Sequence, residues 1–599
     1  MAGEILMCGI AGWSLGEGQG REISQLSVMA AMIAHRGPDD HGMFTDDAAG
    51  IALAFRRLSI IDLSAAGHQP MTSADGAVVL IFNGELYNYQ ELKRELESLG
   101  CVFRSRSDSE VALTALAHWG PPALKRFDGM FALAAWYVRE RRLLLARDPL
   151  GMKPLYYTRR GMAEGVAFAS EIKAFLSLEG FVAEMNPRSL RQYLEFGYVF
   201  DAHNTSLAGV SKLPPGHAME IVAGRAGAPY AFFVPRLADP GDLRTLEQTA
   251  DELYVTLDEV VRQHLAADVP VGLLLSGGLD SSVIAALAAR QARVATISMG
   301  FAESSVDERG FARAVARHIG SDHREILISQ REIVDGLDEV VWHFDDLFSD
   351  WGTVSTRLLY GKCREQGIKV VLVGEGADEL FGGYGIFAAA QRGRGPILWR
   401  LFQLYRRYAG RRYGGQFARF AAEMRSHLAQ SGGSMFDAVR LFETRNQLPN
   451  NYVMKVDKAS MSVSVEARAP YLDRRVAVLA YSTPEKHLLA GGDDKLVLRV
   501  MAERNDLLPR EITRRPKFGA SIAASWMDES EEFRRYARDA ILKPNGWAER
   551  LGLSGAMTDF FEGKRKGYAF PRAISIFNNL AWRLLLLQLW SRKYLGASA

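Results

Sequence analysis

Through residue 220 the apolar positions come in short runs broken by Gly, Asp and Asn. Residues 78–82, before Asn83-Gly84, and 130–137, before a charged turn at 139–142, read as buried strands, with a helix over 89–99 between them. Pro/Gly-rich stretches at 212–217 and 235–242 mark a boundary. Beyond it a helical pattern over 250–265 leads into an apolar strand at 271–275, a Gly/Ser loop and a helix from Ser282. A strand at 294–299, a helix at 309–319 and a strand at 369–373 follow. Such alternation predicts a parallel sheet whose ligands sit at the carboxyl ends of strands. From residue 385 onward the pattern is mostly helical. The apolar stretch 574–590 is interrupted by Asn578, Asn579, Arg583 and Gln588, so it reads as a buried or amphipathic helix and not as a membrane span.

Composition narrows this picture. The chain has 599 residues, which suits two large domains. Lys plus Arg number 72 against 70 Asp plus Glu, a net charge of +2, so global charge is no basis for nucleic-acid binding and no such partner is expected. With 48% hydrophobic and 24% charged residues the chain is ordinary globular protein. Its three cysteines, Cys8, Cys101 and Cys363, form no CxxC pair and show no zinc-like spacing, which argues against a disulfide scaffold and points to a reducing, cytoplasmic location. The first residues carry no signal-peptide pattern. One local bias remains: residues 385–422 hold eight arginines and no Asp or Glu, interleaved with Trp399, Phe402, Tyr405, Tyr408 and Tyr413. That segment is either a basic face for an anionic membrane, acidic partner or anionic substrate, or a solvated helix pair with its aromatics packed inward.

Two loops carry chemistry. Leu275-Ser-Gly-Gly-Leu-Asp-Ser-Ser282 runs strand, Gly-rich turn, helix start, the arrangement in which backbone N–H groups, hydroxyls and a helix N-terminus meet phosphate. It lacks the Gly-Lys-Ser/Thr ending of a Walker loop. Asp280 within it would repel phosphate unless a cation lies between, which points to Mg²⁺. Val373-Gly-Glu-Gly-Ala-Asp-Glu-Leu-Phe-Gly-Gly-Tyr384 again follows an apolar strand. The pair could set Asp280 and Asp378 around one Mg²⁺-pyrophosphate and leave Glu375 facing the reacting centre.

Cys8 alone would read as a small buried hydrophobe. If Met7 is the true start, or residues 1–7 are removed, Cys8 gains a free α-amine of reference pKa about 7.7–8.0 that can act as base for its own thiol. His35-Arg-Gly-Pro-Asp39, Arg57-Leu-Ser-Ile-Ile-Asp62, Phe82-Asn-Gly-Glu85 and Ser107-Asp108 supply what an amino-acid amide needs: a guanidinium, carboxylates and oxyanion donors.

Together these motifs closely resemble the glutamine-hydrolysing asparagine synthetase B family over most of the chain. The N-terminal half is similar to a class II glutamine amidotransferase, adding Arg147-Asp-Pro-Leu-Gly-Met-Lys-Pro-Leu-Tyr156 and Ala169-Ser-Glu-Ile-Lys173 to the motifs above. The C-terminal half resembles an ATP-pyrophosphatase-type synthetase and adds Val465-Glu-Ala-Arg-Ala-Pro-Tyr-Leu-Asp473. The resemblance implies an Ntn-hydrolase-like αββα sandwich over 8–220, then a Rossmann-like synthetase over 240–599 with a largely helical C-terminal part. It implies Cys8 as nucleophile, Asn83 and Gly84 as oxyanion donors, and glutamine held by Arg57, Asn83, Gly84, Glu85 and Asp108. It also implies ATP on Leu275, Ser276, Gly277, Gly278, Asp280, Ser281, Ser282, Met299, Val373 and Gly374, with Mg²⁺ on Asp280 and Asp378. Glu375 and Lys495 would serve acyl-adenylate formation and Arg468 the acceptor carboxylate or a phosphate. The implied reaction releases ammonia from glutamine, passes it through an internal channel and amidates aspartate through an acyl-AMP. A homodimer is the family's expectation.

Relatives of this fold also amidate other carboxylates, including sugar acids and natural-product intermediates, and that is the alternative reading. A non-catalytic binding protein is a third, opposed by the presence of Cys8, Asp280, Glu375, Asp378 and Lys495 together.

Overall fold

The computed structural model describes residues 8–16, 19–37, 39–239, 241–302, 309–409, 415–515, 530–564 and 576–596. Residues 1–7, on which the free amine of Cys8 turns, lie outside the described residues, as do 410–414 of the arginine-rich stretch with Tyr413 and residues 574–575 of the last apolar run.

Two antiparallel sheets build the N-terminal half. The first runs in the order Val210–Lys212, Tyr156–Thr158, Gly165–Ala169, Gly9–Leu15, Ile51–Arg57, Asp40–Asp46. The second runs Arg225–Ala226, His217–Val222, Arg142–Arg147, Gly129–Tyr137, Val78–Leu86, Met71–Thr72, with Tyr230–Ala231 also pairing His217–Val222. Strand alternation sends successive side chains to opposite faces. Ile10, Leu53 and Phe55 of the first sheet thus meet Ile81, Ala134 and Trp136 of the second in one core between them. The second sheet's other face, with Leu80 and Phe82, packs on the helices Tyr89–Ser98 and Asp108–Trp119 through Leu92, Leu96, Val111 and Leu116. Ala11 and Trp13 on the outer face of the first sheet pack with Leu26 and Met29 of the helix Ile23–Met32. Helix, sheet, sheet and helix therefore stack as the expected αββα sandwich.

One reading is corrected here. Asn83-Gly84 is not a turn: its strand continues to Leu86, paired with Gly129–Tyr137. A Cβ at Gly84 would lie 2.0 Å from the Met130 carbonyl oxygen, so the glycine serves a close cross-strand approach.

The C-terminal half contains a parallel sheet ordered Asp322–Ile328, Ala295–Phe301, Val271–Leu274, Val370–Leu372, Glu466–Arg468. In chain order this is 3-2-1-4-5, and the order reverses between Val271–Leu274 and Val370–Leu372, the topological switch point where such sheets bind ligands. Two strands are additional to those expected. Asp322–Ile328 is an edge strand rich in polar residues, and Glu466–Arg468 is three residues long with a charge at each end. From Ala377 onward the elements are otherwise helical. The last helix, Ile576–Tyr594, buries Trp582, Leu585 and Trp590, and no described helix is long and apolar enough to cross a membrane.

The seam between the halves is built from buried charge. Arg36 donates to Glu171 at 2.9 Å and to both oxygens of Asp457 at 3.0 and 3.1 Å, while its Nε donates to the Cys8 carbonyl at 3.2 Å. Lys153 approaches Asp457 at 3.8 Å; Lys173 pairs with Glu171 and lies 3.5 Å from Asp345, which also accepts from Lys458 at 3.2 Å. All seven side chains belong to residues no more than 4% exposed. Removing one partner from such a set strands the others in a dry interior. Asp457→Ala is therefore expected to cost about 3–5 kcal/mol, read as a lower midpoint of urea unfolding; an unchanged midpoint would show that the seam tolerates the loss.

Candidate functional site

Cys8 stands immediately before the strand Gly9–Leu15, which pairs with Ile51–Arg57 so that Gly9 faces Arg56. This brings its Sγ to the next backbone turn: the Leu58 N–H donates to it at 3.2 Å and it donates to the Leu58 carbonyl at 3.7 Å. Arg57 ends that strand with its guanidinium on the carbonyls of Asp62 and Ser64. Asp108 opens the helix Asp108–Trp119 and accepts from the Leu86 N–H at 2.8 Å, which ties it to the strand carrying Asn83, Gly84 and Glu85. Asn83 is fully buried; its Nδ2 reaches Ser170 Oγ at 3.5 Å and its Oδ1 has no protein partner.

Burial dominates the electrostatics of this pocket. Burial pushes the Cys8 thiol up to about 12; the Leu58 amide and Lys153 oppose the rise, and Glu466 and Glu85 add to it. Burial likewise lifts Asp108 to about 6 against the amides of Leu86 and Ser109. Glu85 is held well above the usual carboxylate range by burial, with Arg468 the main opposing charge. His35 is pushed down to about 4 by burial in spite of Glu171 beside it, so it is neutral near pH 7.

The two phosphate-type loops meet at the switch point. Leu275 to Gly278 follow the strand Val271–Leu274 and lead into the helix Leu279–Gln291, with Asp280 in its first turn. Val373 to Gly376 follow Val370–Leu372 and lead into Ala377–Phe381, with Asp378 in its first turn. The loops touch: a Cβ at Gly374 would fall 2.9 Å from the Ser281 backbone nitrogen. Ser276 and Ser281 hydroxyls lie 3.0 Å apart across the first loop, and Arg515 donates to the Gly277 carbonyl at 3.1 Å. Met299 lies half-buried on the neighbouring strand. Leu275, Val373 and Ser282 are buried, and the Ser282 amide is already bonded to the Gly278 carbonyl.

Lys495 closes the centre. Its Nζ lies 2.7 and 2.8 Å from the two Asp280 oxygens and 2.9 Å from Asp378. Burial works against its charge, yet the two aspartates hold its pKa above the ordinary value. Lys495 adopts φ 48°, an uncommon left-handed conformation for a residue with a Cβ, immediately before the helix Leu496–Arg504. Two carboxylates converging on one ammonium are a hard-oxygen pair that a divalent cation can use, so the donor set fits Mg²⁺ bound together with phosphate.

Glu375 is lifted by burial, with Lys455 as the first opposing charge and Asp280 and Asp378 adding to the rise. Lys455 pairs with Asp350 at 3.3 Å, and both line a cavity of 310 Å³ with Asn451, Trp351 and Arg583. Sequence reasoning missed Asp350 and Lys455. They lie 105 positions apart in the chain and carry no motif, so only tertiary packing pairs them and sets the Lys455 charge near Glu375.

Arg468, expected at the acceptor carboxylate or a phosphate, is held against the N-terminal half. It donates to Glu466 at 2.7 Å and to the His264 and Ala266 carbonyls at 2.8 and 2.7 Å, and lies 3.1 Å from Glu85. Strand alternation explains this: Glu466 and Arg468 share one face of a strand, and that face meets the N-terminal half.

The asparagine synthase family pattern matches residues 252–592, and a glutamine amidotransferase domain matches 7–231. Asparagine synthetase [glutamine-hydrolyzing] 1 of Bacillus subtilis is 31% identical over 560 residues, covering 86% of each chain. The chain belongs to the asparagine synthase family. Another relative, the amidase chry2 of Gibberella zeae, is 32% identical over 411 residues, 64% of this chain and 60% of its own. A solved glutamine phosphoribosylpyrophosphate amidotransferase from B. subtilis aligns at 17% identity over 61% of this chain and 81% of its own, with a TM-score of 0.29, too low to carry an argument.

A thiol held near pKa 12 reacts through a trace of thiolate that grows about tenfold per pH unit. Alkylation of Cys8 by iodoacetamide in the chain carrying residues 1–7 is therefore expected to be slow and to rise about tenfold per unit between pH 7 and 9, followed by mass spectrometry of the Cys8 peptide. A rate already flat at pH 7 would mean that the thiolate forms without help.

Proposed function

We propose that this member of the asparagine synthase family is a glutamine-dependent asparagine synthetase, with a glutaminase over residues 8–220 and an ATP-dependent synthetase over 240–599. The observation that carries the reading is the convergence of Asp280 and Asp378 on Lys495 at the switch point of the parallel sheet, next to Glu375.

In the glutaminase, Arg57 takes the α-carboxylate of glutamine, and Asp108 and Glu85 face its α-ammonium. A free α-amine on Cys8 accepts the thiol proton, which burial otherwise keeps on sulfur. The thiolate attacks the side-chain amide carbon, and Asn83 Nδ2 and the Gly84 N–H stabilise the oxyanion. Ammonia leaves with the transferred proton, and water cleaves the thioester to glutamate.

In the synthetase, Ser276, Gly277, Gly278 and Ser281 present the phosphate-binding turn, with Leu275, Met299, Val373 and Gly374 around the nucleoside. Mg²⁺, held by Asp280 and Asp378, would neutralise charge on the β- and γ-phosphates. A substrate carboxylate oxygen attacks the α-phosphorus, pyrophosphate departs toward Lys495, and an acyl-AMP remains. Ammonia then attacks the acyl carbon, AMP leaves, and Glu375, its pKa raised by burial, is suited to take the surplus proton.

A second reading differs in the acceptor. One relative is named an amidase, and the polar cavity lined by Lys455, whose charge acts on Glu375, has room for a carboxylate larger than aspartate. Pyrophosphate release with ATP, Mg²⁺ and ammonia across aspartate and a panel of other acids separates the two. Turnover with aspartate supports the first reading, turnover only with another acid selects the second, and none with any acid rejects both.

Cys8→Ala is expected to abolish glutamine-dependent pyrophosphate release and to leave ammonia-dependent release within about twofold, whereas Lys495→Ala lowers both by about 10²–10³. Full glutaminase activity with residues 1–7 still attached would sink the role of the α-amine.

A further inference from the structure

The arginine-rich segment has no part in either half-reaction, and its structure is specific. The helices Gly385–Arg392 and Ile397–Ala409 follow one another, and the second buries Leu401, Leu404, Tyr405 and Ala409. On that inward side Tyr405 and Tyr408 donate to Glu195 and Glu443. The aromatics Phe402, Tyr405 and Tyr408 thus pack into the protein with Phe417, Phe420 and Phe442.

The first turn of the same helix does the opposite. Ile397, Leu398 and Trp399 are 45%, 52% and 51% exposed. Three consecutive large apolar side chains at the surface contribute little to the core and carry a standing hydration cost. Beside them Arg392, Arg394, Arg400 and Arg407, with Trp399, line a groove of 520 Å³ whose wall contains no carboxylate. Among the described residues none of these four guanidiniums pairs with an acid; Arg392 and Arg400 donate to the carbonyls of Ala388 and Ala390, and Arg400 Nε is buried without a partner. Elsewhere surface arginines such as Arg244, Arg504 and Arg514 have carboxylate partners.

We propose that this face docks on an anionic phospholipid surface. Ile397, Leu398 and Trp399 enter the interfacial layer, and Arg392, Arg394, Arg400 and Arg407 bond lipid phosphates. The two features together favour this occupant over a soluble anion or an apolar protein surface. A soluble phosphate would use the guanidiniums but leave the apolar turn in water, and an apolar protein surface would leave four cations unpaired. A phospholipid interface satisfies both, because Trp and aliphatic side chains settle at headgroup depth while arginine bonds phosphate through two N–H groups at once. The attachment is peripheral, since no described helix is built to span a bilayer. Neither half-reaction needs it, so it stands independently of the acceptor's identity.

The test is co-sedimentation of the full chain with vesicles of phosphatidylcholine alone and of phosphatidylcholine with phosphatidylglycerol. Binding is expected only to the anionic vesicles and should weaken as salt is raised. Arg394→Glu/Arg407→Glu should weaken it by about tenfold or more, and Leu398→Asp should weaken it with all the arginines in place. Glutamine- and ammonia-dependent pyrophosphate release in solution should be unchanged in both variants, which also reports that they fold. Equal binding to both vesicle types, equal binding by wild type and the arginine variant, or no binding at all would overturn the proposal. So would binding of inorganic pyrophosphate through Arg394 and Arg407 without binding of vesicles, which would assign the groove to a soluble anion.

Discussion

The arrangement of both reaction centres depends on charges that cannot be left alone. At the seam, Glu171, Asp345 and Asp457 are buried together with Arg36, Lys153, Lys173 and Lys458. Each is tolerable in a dry interior only because its partners are in place, so small displacements are costly and the halves have one favourable docking. The N-terminal half contributes one carboxylate and three cations to this set, and the C-terminal half two carboxylates and one cation. Arg36 also binds the Cys8 carbonyl, which ties the position of the thiol directly to the interface.

The nucleotide-type centre repeats this logic in a more exposed setting. Asp280 and Asp378 sit in the first turns of two short-looped helices, pressed together because Gly374 lets one loop lie against Ser281 of the other. Two neighbouring carboxylates repel each other unless a cation divides them. Lys495 supplies that cation at the cost of a left-handed backbone, and an uncommon conformation held at a charge centre is a mark of function.

Much of this was legible in the sequence, for a physical reason. Buried strands such as 78–82 and 130–137 are written in apolar runs, and phosphate-type loops need glycine, hydroxyl and acid at fixed places, so both leave local marks. Ion-paired burial leaves none. The strand Glu466–Arg468 contains one small apolar residue, and its Arg468 is held by Glu466, Glu85 and backbone carbonyls, so no apolar period announces it. Lys455, Asp350 and Asp457 look like ordinary surface charges until the helix Val453–Met461 and the loop of Asp350 are packed together. Asn83-Gly84 failed in the other direction. Its turn-like pair sits inside a strand because Gly84 is needed for clearance under Met130.

Arg468 sits where the two halves of the chain meet. Within the segment 466–475, Arg468 faces Glu85 of the glutamine-side pocket, while its own carbonyl accepts from Val373 N–H at 2.9 Å, at the root of the loop carrying Glu375. Three residues on, the Tyr471 hydroxyl donates to the Asp280 carbonyl at 3.1 Å, and Asp473 lies against His264, whose ring stacks on Tyr87 at 3.6 Å. Arg474 then pairs with Asp128 on the N-terminal side. One short stretch of chain therefore reaches residues of both centres, Glu85 from its strand and Asp280 from the turn that follows. A charge that arrives beside Glu85 acts on Arg468, and Arg468 is bonded through its backbone to the loop of Glu375. This makes Arg468 a member of the seam that holds the two centres in register.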